Sequence, residues 1–223
     1  MSAQDRVFIA GAGPVGLVAA ANLVRAAVPV TVFEAGSDLS TESRASTFHP
    51  PTLDMLDTFG AAEPLIAQGL VAPGFQYRTK KGGLVAEFDF GAIADATAHP
   101  YRVQAEQSKL TRILLDQLRG KPGFEIAFNG RVQSVTQDGS SVTVAIERSG
   151  ATQNHTGRWL IGADGASSSV RRALGIGFEG FTWPDRLLVV STPFDFHSTI
   201  PGLTAVNYVA DAERWYFLLQ IPG

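Results

Sequence analysis

The residues of this chain whose types and spacing could do chemistry sit at two glycine-rich junctions. The first is Gly11-Ala12-Gly13-Pro14-Val15-Gly16, which follows the apolar run Arg6 to Ala10 and opens a stretch of small and apolar residues, Pro14 to Ala27. In a G-x-G-x-x-G turn the first glycine permits the tight bend and the second lets a pyrophosphate approach the backbone. The third lets helix and strand pack closely. Unpaired N–H groups and the positive end of the helix dipole then attract phosphate. Pro14 suits a first helical turn, where its missing N–H has no intrahelical partner to lose. An acid, Glu34, lies near the end of the next β-branched run, Pro29 to Ala35, in position to accept from ribose hydroxyls. The pattern reads as a dinucleotide site without separating NAD from FAD. Its bland rival is a glycine-rich turn in an α/β fold that holds no nucleotide.

The second junction is Gly162-Ala163-Asp164-Gly165-Ala166-Ser167, entered from Trp159-Leu160-Ile161 and followed by Val170-Arg171. A strand ending here would put one carboxylate at the C-terminal edge of a sheet, where the ligands of such sheets bind. Taken alone, Asp164 reads first as a turn or helix-cap acid with Arg171 as its surface partner, because Asp is a preferred cap residue. The remaining inventory is thin. His49, His99, His155 and His197 have no metal-ligand spacing, so no metal site is expected. Ser167 to Ser169 lacks the G-x-S-x-G setting of a hydrolase nucleophile. Trp183, Trp215 and Phe194 are candidates for an aromatic pocket, although core aromatics are commoner. No catalytic acid or base can be named.

The elements that must position these residues follow from periodicity. Arg6–Ala10, Pro14–Ala27 and Pro29–Ala35 form a βαβ unit of about the usual thirty residues. Helices are expected around Leu53, Leu56 and Phe59, with Gly60 as cap, and near Glu63 to Gly69. A hairpin runs from Gly74 to Phe90 around Lys80-Lys81-Gly82-Gly83. Leu110, Ile113, Leu114 and Leu118 give Gln107–Arg119 the spacing of an amphipathic helix. Four strands then read as a meander: 124–129, 131–137, 141–148 and 155–161. A helix from about Ser167 to Gly175 follows. Beyond Gly180 only strands are expected, at Arg186–Phe196, Ala205–Val209 and Trp215–Ile221.

Composition sets the class. The 223 residues carry 18 Lys+Arg against 21 Asp+Glu, with 45% hydrophobic and 17% charged residues, as ordinary globular chains do. The net charge of −3 gives no basic face for nucleic acid. The absence of Cys removes disulfides, Cys-ligated zinc, iron–sulfur clusters and thiol catalysis. No signal peptide is visible, and the longest apolar run, Val15 to Val24, is too short to span a membrane. A cytoplasmic location is the expectation.

Together these pieces resemble the class A flavoprotein monooxygenases, the family of para-hydroxybenzoate and phenol hydroxylases. The resemblance covers essentially the whole chain. It implies an α/β fold: a Rossmann-like FAD-binding domain with an inserted β-sheet substrate domain, incomplete at the C-terminus. The FAD-binding domain would comprise 1–73 and 101–179, and the substrate domain 74–100 and 180–223. Gly11, Gly13, Pro14, Val15, Gly16, Glu34 and Ala35 match the first FAD fingerprint. Asp164 and Gly165 match the second motif, whose Asp serves FAD and the nicotinamide substrate. Arg44, in Ser43-Arg44-Ala45, resembles the residue that reaches the FAD phosphates. Gln107 resembles the helix-start Gln on the flavin side, and Val132 a position whose backbone meets the adenine. The implied cofactor is FAD, with NADPH or NADH as transient co-substrate. The implied reaction is oxygen transfer from a flavin hydroperoxide, formed with O₂, to a small phenol-like or polyketide-like aromatic substrate.

The family's third motif, G-D-A-x-H, has no match: Asp211-Ala212 lacks the preceding Gly and the following His. The expectation is therefore the N-terminal part of a longer protein, with a naturally truncated paralogue as the other explanation. Two functional alternatives stay open at this point. One is a flavin-dependent reductase or dehydrogenase on the same fold, and the other is an inactive FAD- or nucleotide-binding fragment.

Overall fold

A computed structural model describes residues 5–42, 45–148, 150–184 and 186–222. In chain order its elements begin with β1 (Val7–Ala10), α1 (Pro14–Arg25), β2 (Val30–Phe33), β3 (Thr47–Phe48), α2 (Pro50–Asp57) and α3 (Ala62–Ala67). Next come β4 (Leu70–Ala72), β5 (Gly74–Thr79), β6 (Gly83–Asp89), β7 (Arg102–Gln104), α4 (Gln107–Leu118) and β8 (Phe124–Ala127). The chain continues through β9 (Arg131–Gln137), β10 (Val142–Arg148), β11 (Ala151–Gly157), β12 (Trp159–Gly162) and α5 (Ser169–Ala173). It ends with β13 (Val206–Ala210) and β14 (Tyr216–Leu219). Among the described residues no helix is long and apolar enough to cross a membrane.

Two compact units divide the chain. The first comprises residues 1–42 and 110–180 and is built on a parallel four-stranded sheet in the order β12-β1-β2-β8. Every residue of β1 and β2 is buried, as the continuous apolar runs of parallel strands require. Ile9 turns toward α1, whose buried Leu17, Ala20 and Ala21 let the helix lie close to the sheet. Phe8, Ala10 and Phe33 point the other way. There they pack on Val132, Val135, Val144 and Ile146 of the antiparallel sheet β11-β10-β9.

The expected four-strand meander is corrected here. Only its middle portion, β9 to β11, is antiparallel, while β8 and β12 join opposite edges of the parallel sheet. The β8 and β12 sequences, FEIA and WLIG, are apolar enough to pair beside buried strands, so hairpin-like spacing did not reveal their partners.

The second unit comprises residues 43–109 and 181–223. It holds a sheet in the order β14-β13-β5-β6, in which β13 and β5 run parallel, and a small sheet β3-β7-β4. The unit boundaries differ from the expected division at 73/74, 100/101 and 179/180. The small sheet accounts for part of the difference: β3, β7 and β4 hydrogen-bond to one another, which ties 47–72 to 102–104, and both fall in the unit that holds β5. The strand expected at Arg186–Phe196 does not form. Residues 186–195 carry no regular structure, and Leu187, Leu188, Val189 and Val190 are exposed, with no partner strand among the described residues.

In the second unit the approach to β7 is pinned by a side-chain cluster. The Asp54 carboxylate on α2 accepts from the Thr97 hydroxyl at 2.7 Å and lies 2.7 Å from His99 Nδ1. The His99 N–H in turn donates to Thr97 Oγ1 at 3.1 Å. The bonds from His99 and Thr97 hold the Asp54 carboxyl below its ordinary value of 3.8. Because the folded-state value is the lower one, this contribution is fully present above pH 3.8 and lost as the pH falls through the depressed value. Asp54→Asn is therefore expected to melt at a lower temperature than the parent at neutral pH. The gap in thermal melts should close below pH 3.8, and a gap constant across the acid range would contradict the assignment.

Candidate functional site

The first unit brings three chain segments to the C-terminal edge of its parallel sheet. β1 leads into the Gly11 loop, β2 leads into Glu34, and β12 is followed by Ala163 and Asp164. Hydrogen bonding continues past the strands and fixes the segments laterally. The Gly11 N–H donates to Phe33 O at 2.8 Å, and the Ala163 N–H to Ala10 O at 2.8 Å. Glu34 is held through its backbone on both sides, donating to Ala127 O and accepting from the Gly130 N–H.

Two of the three motif glycines are required by contact. Gly11 has φ +100°, and a Cβ there would lie 2.5 Å from Ala163 O, so the two glycine motifs touch backbone to backbone. A Cβ on Gly16 would fall 2.0 Å from Gly11 O. Gly13 is different: a Cβ there would meet no atom within 4 Å. The space over Gly13 is open, and it faces the start of α1.

That start is electrostatically bare. Gly13 is the N-cap, Pro14 occupies the first turn, no side chain caps the helix and no acid lies in its first turn. The first-turn N–H groups of a helix have no intrahelical partner and carry the positive end of its dipole. Val15 stands 69% exposed at the rim. The Glu34 carboxylate lies across the loop, with Oε2 accepting from the Ala12 N–H at 2.7 Å and Oε1 from the Gly36 N–H at 2.8 Å. A carboxylate oxygen accepts more than one bond, so both retain capacity for hydroxyl donors. Ala35 is exposed beside it. A bare helix start, an open position over Gly13 and an adjacent oriented carboxylate fit a pyrophosphate with an attached ribose.

Asp164 does structural work as well. Its Oδ2 accepts from the Ser169 N–H at 2.6 Å and the Val170 N–H at 3.1 Å, and its Oδ1 accepts from the Ser168 hydroxyl. Ser168 is the N-cap of α5, its Oγ accepting from the Arg171 N–H at 3.0 Å. The cap reading of Asp164 is thus correct, but its pairing with Arg171 is not. Arg171 donates instead to Ala166 O at 2.7 Å and lies over the Phe178 ring at 4.4 Å. Gly165, at φ +79°, supplies the left-handed turn between Asp164 and the helix. Sequence reasoning did not single out Ser168, although a Ser four residues beyond a strand-end Asp is a legible capping signal.

The remaining expected positions lie elsewhere in the sequence. The Val132 side chain is buried in the core between the two sheets of the first unit. Gln107 belongs to the second unit, where its N–H donates to Ala45 O at 3.0 Å. Arg44 lies outside the described residues. Trp183, Trp215 and Phe194 are each more than half exposed.

Comparison with known proteins agrees with this geometry. The family model described as "FAD binding domain" matches residues 4–217. A para-nitrophenol 4-monooxygenase from Pseudomonas sp. strain WBC-3 is 35% identical over 221 residues, covering 99% of this chain and 54% of that protein. The 6-hydroxy-3-succinoylpyridine 3-monooxygenase HspB of Pseudomonas putida is 36% identical over 208 residues, covering 93% and 53%. The crystal structure of the p-nitrophenol 4-monooxygenase PnpA from Pseudomonas putida DLL-E4 matches with a TM-score of 0.86. Its identity is 31%, over 96% of this chain and 54% of that one. The chain spans about half the length of these relatives.

The glycine contacts predict opposite behaviour at two neighbouring positions. Gly16→Ala is expected to cost about 1–3 kcal/mol or more in urea unfolding, because the new methyl meets backbone. Gly13→Ala should cost no more than about 1 kcal/mol, the usual range for an N-cap change, while placing a methyl in the open space above the loop. Equal losses of stability at the two positions would show that the space over Gly13 is not open.

Proposed function

Because the chain belongs to the FAD-binding domain family, among the class A flavoprotein monooxygenases, we propose that it forms the cofactor-holding part of an NAD(P)H-dependent aromatic hydroxylase. The substrate class is a small phenol-like or polyketide-like aromatic compound, with molecular oxygen as co-substrate. The observation that carries this reading is the bare α1 N-terminus beside Glu34 and the packed second glycine motif.

Each residue of the first unit has a definite task under this proposal. The first-turn N–H groups of α1 donate to the pyrophosphate, and the absent Cβ of Gly13 lets it come within bonding distance. Pro14 and Val15 form the wall of that cradle. Glu34 accepts from the ribose hydroxyls with the lone pairs that the Ala12 and Gly36 N–H groups leave free, and Ala35 borders the sugar. Asp164 and Gly165 bound the opposite side and serve both FAD and the nicotinamide substrate. The Val132 backbone would meet the adenine, Arg44 the phosphates and Gln107 the flavin side, each on the strength of its motif. The chemistry that FAD supplies when bound is electron transfer from NADPH or NADH and activation of oxygen. In terms of role, 1–73 and 101–179 hold the cofactor and 74–100 and 180–223 face the substrate. A cytoplasmic location completes the reading.

Two measurements test it. Glu34→Ala removes a charged acceptor, a loss of about 1.5–3 kcal/mol, so the FAD dissociation constant in a fluorescence titration should rise about tenfold or more. An unchanged constant would reject the role of Glu34. In the full-length gene product, a substituted phenol should accelerate NAD(P)H oxidation with uptake of oxygen and release of a hydroxylated product. Oxidation that proceeds without oxygen uptake would turn the reading toward a reductase.

A further inference from the structure

In the first unit the turn between β8 and β9, Phe128-Asn129-Gly130, clamps the segment that carries Glu34. The Asn129 N–H donates to Gly36 O at 2.8 Å and the Gly130 N–H to Glu34 O at 2.8 Å, while the Glu34 N–H donates to Ala127 O at 2.9 Å. Two consecutive donors of the turn thus meet two carbonyls on one short segment. The match depends on the length of backbone between Asn129 and Gly130. Asn129 holds the left-handed conformation, φ +56°, which asparagine tolerates better than most residues. Gly130 is buried, and a Cβ there would lie 3.2 Å from Ala127 O and 3.3 Å from Ile146 Cγ2.

The same dipeptide is chemically labile. An asparagine followed by glycine is open to attack on its carboxamide by the next backbone nitrogen, because no Cβ shields that nitrogen. Of the asparagines in the chain, Asn22, Asn129, Asn154 and Asn207, only Asn129 precedes glycine. Its side chain is exposed, and its carboxamide has no hydrogen-bond partner among the described residues. Asn207, by contrast, donates to Thr204 O at 2.7 Å and accepts from the Thr204 N–H at 3.2 Å. The two Asp-Gly pairs are held as well. Asp138 accepts from the Ser140 and Ser141 N–H groups, and Asp164 from those of Ser169 and Val170.

What opposes the reaction at Asn129 is the clamp itself. Attack requires the Gly130 nitrogen to give up its proton and turn to the Asn129 side chain, yet that N–H is bound to Glu34 O. Reaction therefore passes through local opening of the turn. β8 is an edge strand with no fully buried residue, whereas every residue of β1 and β2 is buried. The turn that β8 carries thus opens at lower cost than the sheet interior.

We infer that Asn129 is a modification site whose conversion to isoaspartate releases the clamp on Glu34, and that an occupied strand-end site protects it. On opening, the Gly130 nitrogen bonds to Asn129 Cγ, and the carboxamide nitrogen leaves as ammonia, carrying the proton lost from Gly130. Water then opens the cyclic imide at either carbonyl, giving aspartate or isoaspartate. Isoaspartate routes the main chain through the side-chain carbons and lengthens it by one methylene. The N–H groups of residues 129 and 130 then no longer match Gly36 O and Glu34 O together, and the Glu34 segment loses an anchor. A ligand bonded to the Glu34 carboxylate favours the clamped state and slows opening. Protection by the ligand rests on the cofactor reading above, whereas the lability of Asn129 does not.

The test is ageing of the purified protein at mildly alkaline pH, with and without saturating FAD, beside a synthetic peptide of residues 124–134. Conversion is read by mass spectrometry of the tryptic peptide Gly120–Arg131 and by enzymatic methylation of isoaspartate. In the FAD-free protein Asn129 should convert ahead of the other asparagines and more slowly than in the peptide. Saturating FAD should slow it again by about tenfold or more. Converted protein, separated from unconverted, should bind FAD about tenfold more weakly. Asn129→Gly keeps the left-handed turn without the carboxamide, so it should pass through the same incubation with the parent's FAD affinity. Asn129→Asp carries the product charge on an unaltered backbone length and should bind FAD as the parent does. An FAD-free protein that stays unconverted after the peptide has reacted completely overturns the inference, as do equal rates with and without FAD. Unchanged FAD affinity after conversion, or a loss in Asn129→Asp as large as in the converted protein, overturns the spacing argument. Should the fresh parent bind no FAD, the cofactor reading falls. Conversion of the FAD-free protein, with a melting temperature that drops on ageing in the parent and not in Asn129→Gly, then still decides the modification.

Discussion

The close approach of Gly11 to Ala163 and of Gly16 to Gly11 is the constraint on which the strand-end site depends. A side chain on either glycine would meet a carbonyl oxygen well inside van der Waals distance. Because no Cβ intervenes, the chain leaving β1 can hydrogen-bond to the segment after β12 on one side and to the end of β2 on the other. That double anchoring determines where α1 begins and places the Ala12 N–H within 2.7 Å of the Glu34 carboxylate. Backbone anchoring of this kind lowers the ordering cost of binding.

The same sheet edge carries two helix starts, and their difference is informative. α5 begins with the Ser168 cap and the Asp164 carboxylate accepting from successive N–H groups. α1 begins at Gly13 with no cap and no acid in its first turn. A helix start without a partner is unfavourable unless water or a ligand satisfies it. The Glu34 carboxylate across the loop is engaged by the Ala12 and Gly36 N–H groups, and a Cβ on Gly13 would meet no atom within 4 Å. An anion meets donors there.

Much of the first unit was legible because its signals are local. Gly11, Gly13 and Gly16 encode their own turn, and the switch from a period of two to one near 3.6 locates β1, α1 and β2 from a few residues each. The meander was misread because strand propensity says nothing about partners: FEIA and WLIG look like neighbours of the strands adjacent to them in sequence, yet they pair across the parallel sheet. Asp164 shows a second kind of limit. Its capping role could be read from residue preference, but Arg171 turned to a carbonyl and to Phe178, a choice made by tertiary position. The run Arg186 to Phe196 had strand composition without a strand to pair with among the described residues, and composition alone does not form a ladder.

The second unit escaped a sequence reading for a related reason. Alternation along Phe75-Gln76-Tyr77-Arg78 identifies a strand and sorts its residues into two faces, but it cannot say which face is covered. The ordinary assumption would bury the aromatic pair and expose the polar one. Here the polar face is buried because its partners lie far along the chain: the carbonyls of Pro201 and Gly202 close around the Arg78 guanidinium and make its burial tolerable. With that face occupied, the aromatic rings of β5, β6 and β13 turn to the other one, and β7 brings Arg102 over Phe75 with no acid paired to it among the described residues. Cation–π contact recovers only part of what a buried guanidinium loses on leaving water. The fold gives one buried arginine, Arg78, three hydrogen bonds and leaves the buried Nε of a second, Arg102, without a partner, so the second is held at a cost in stability.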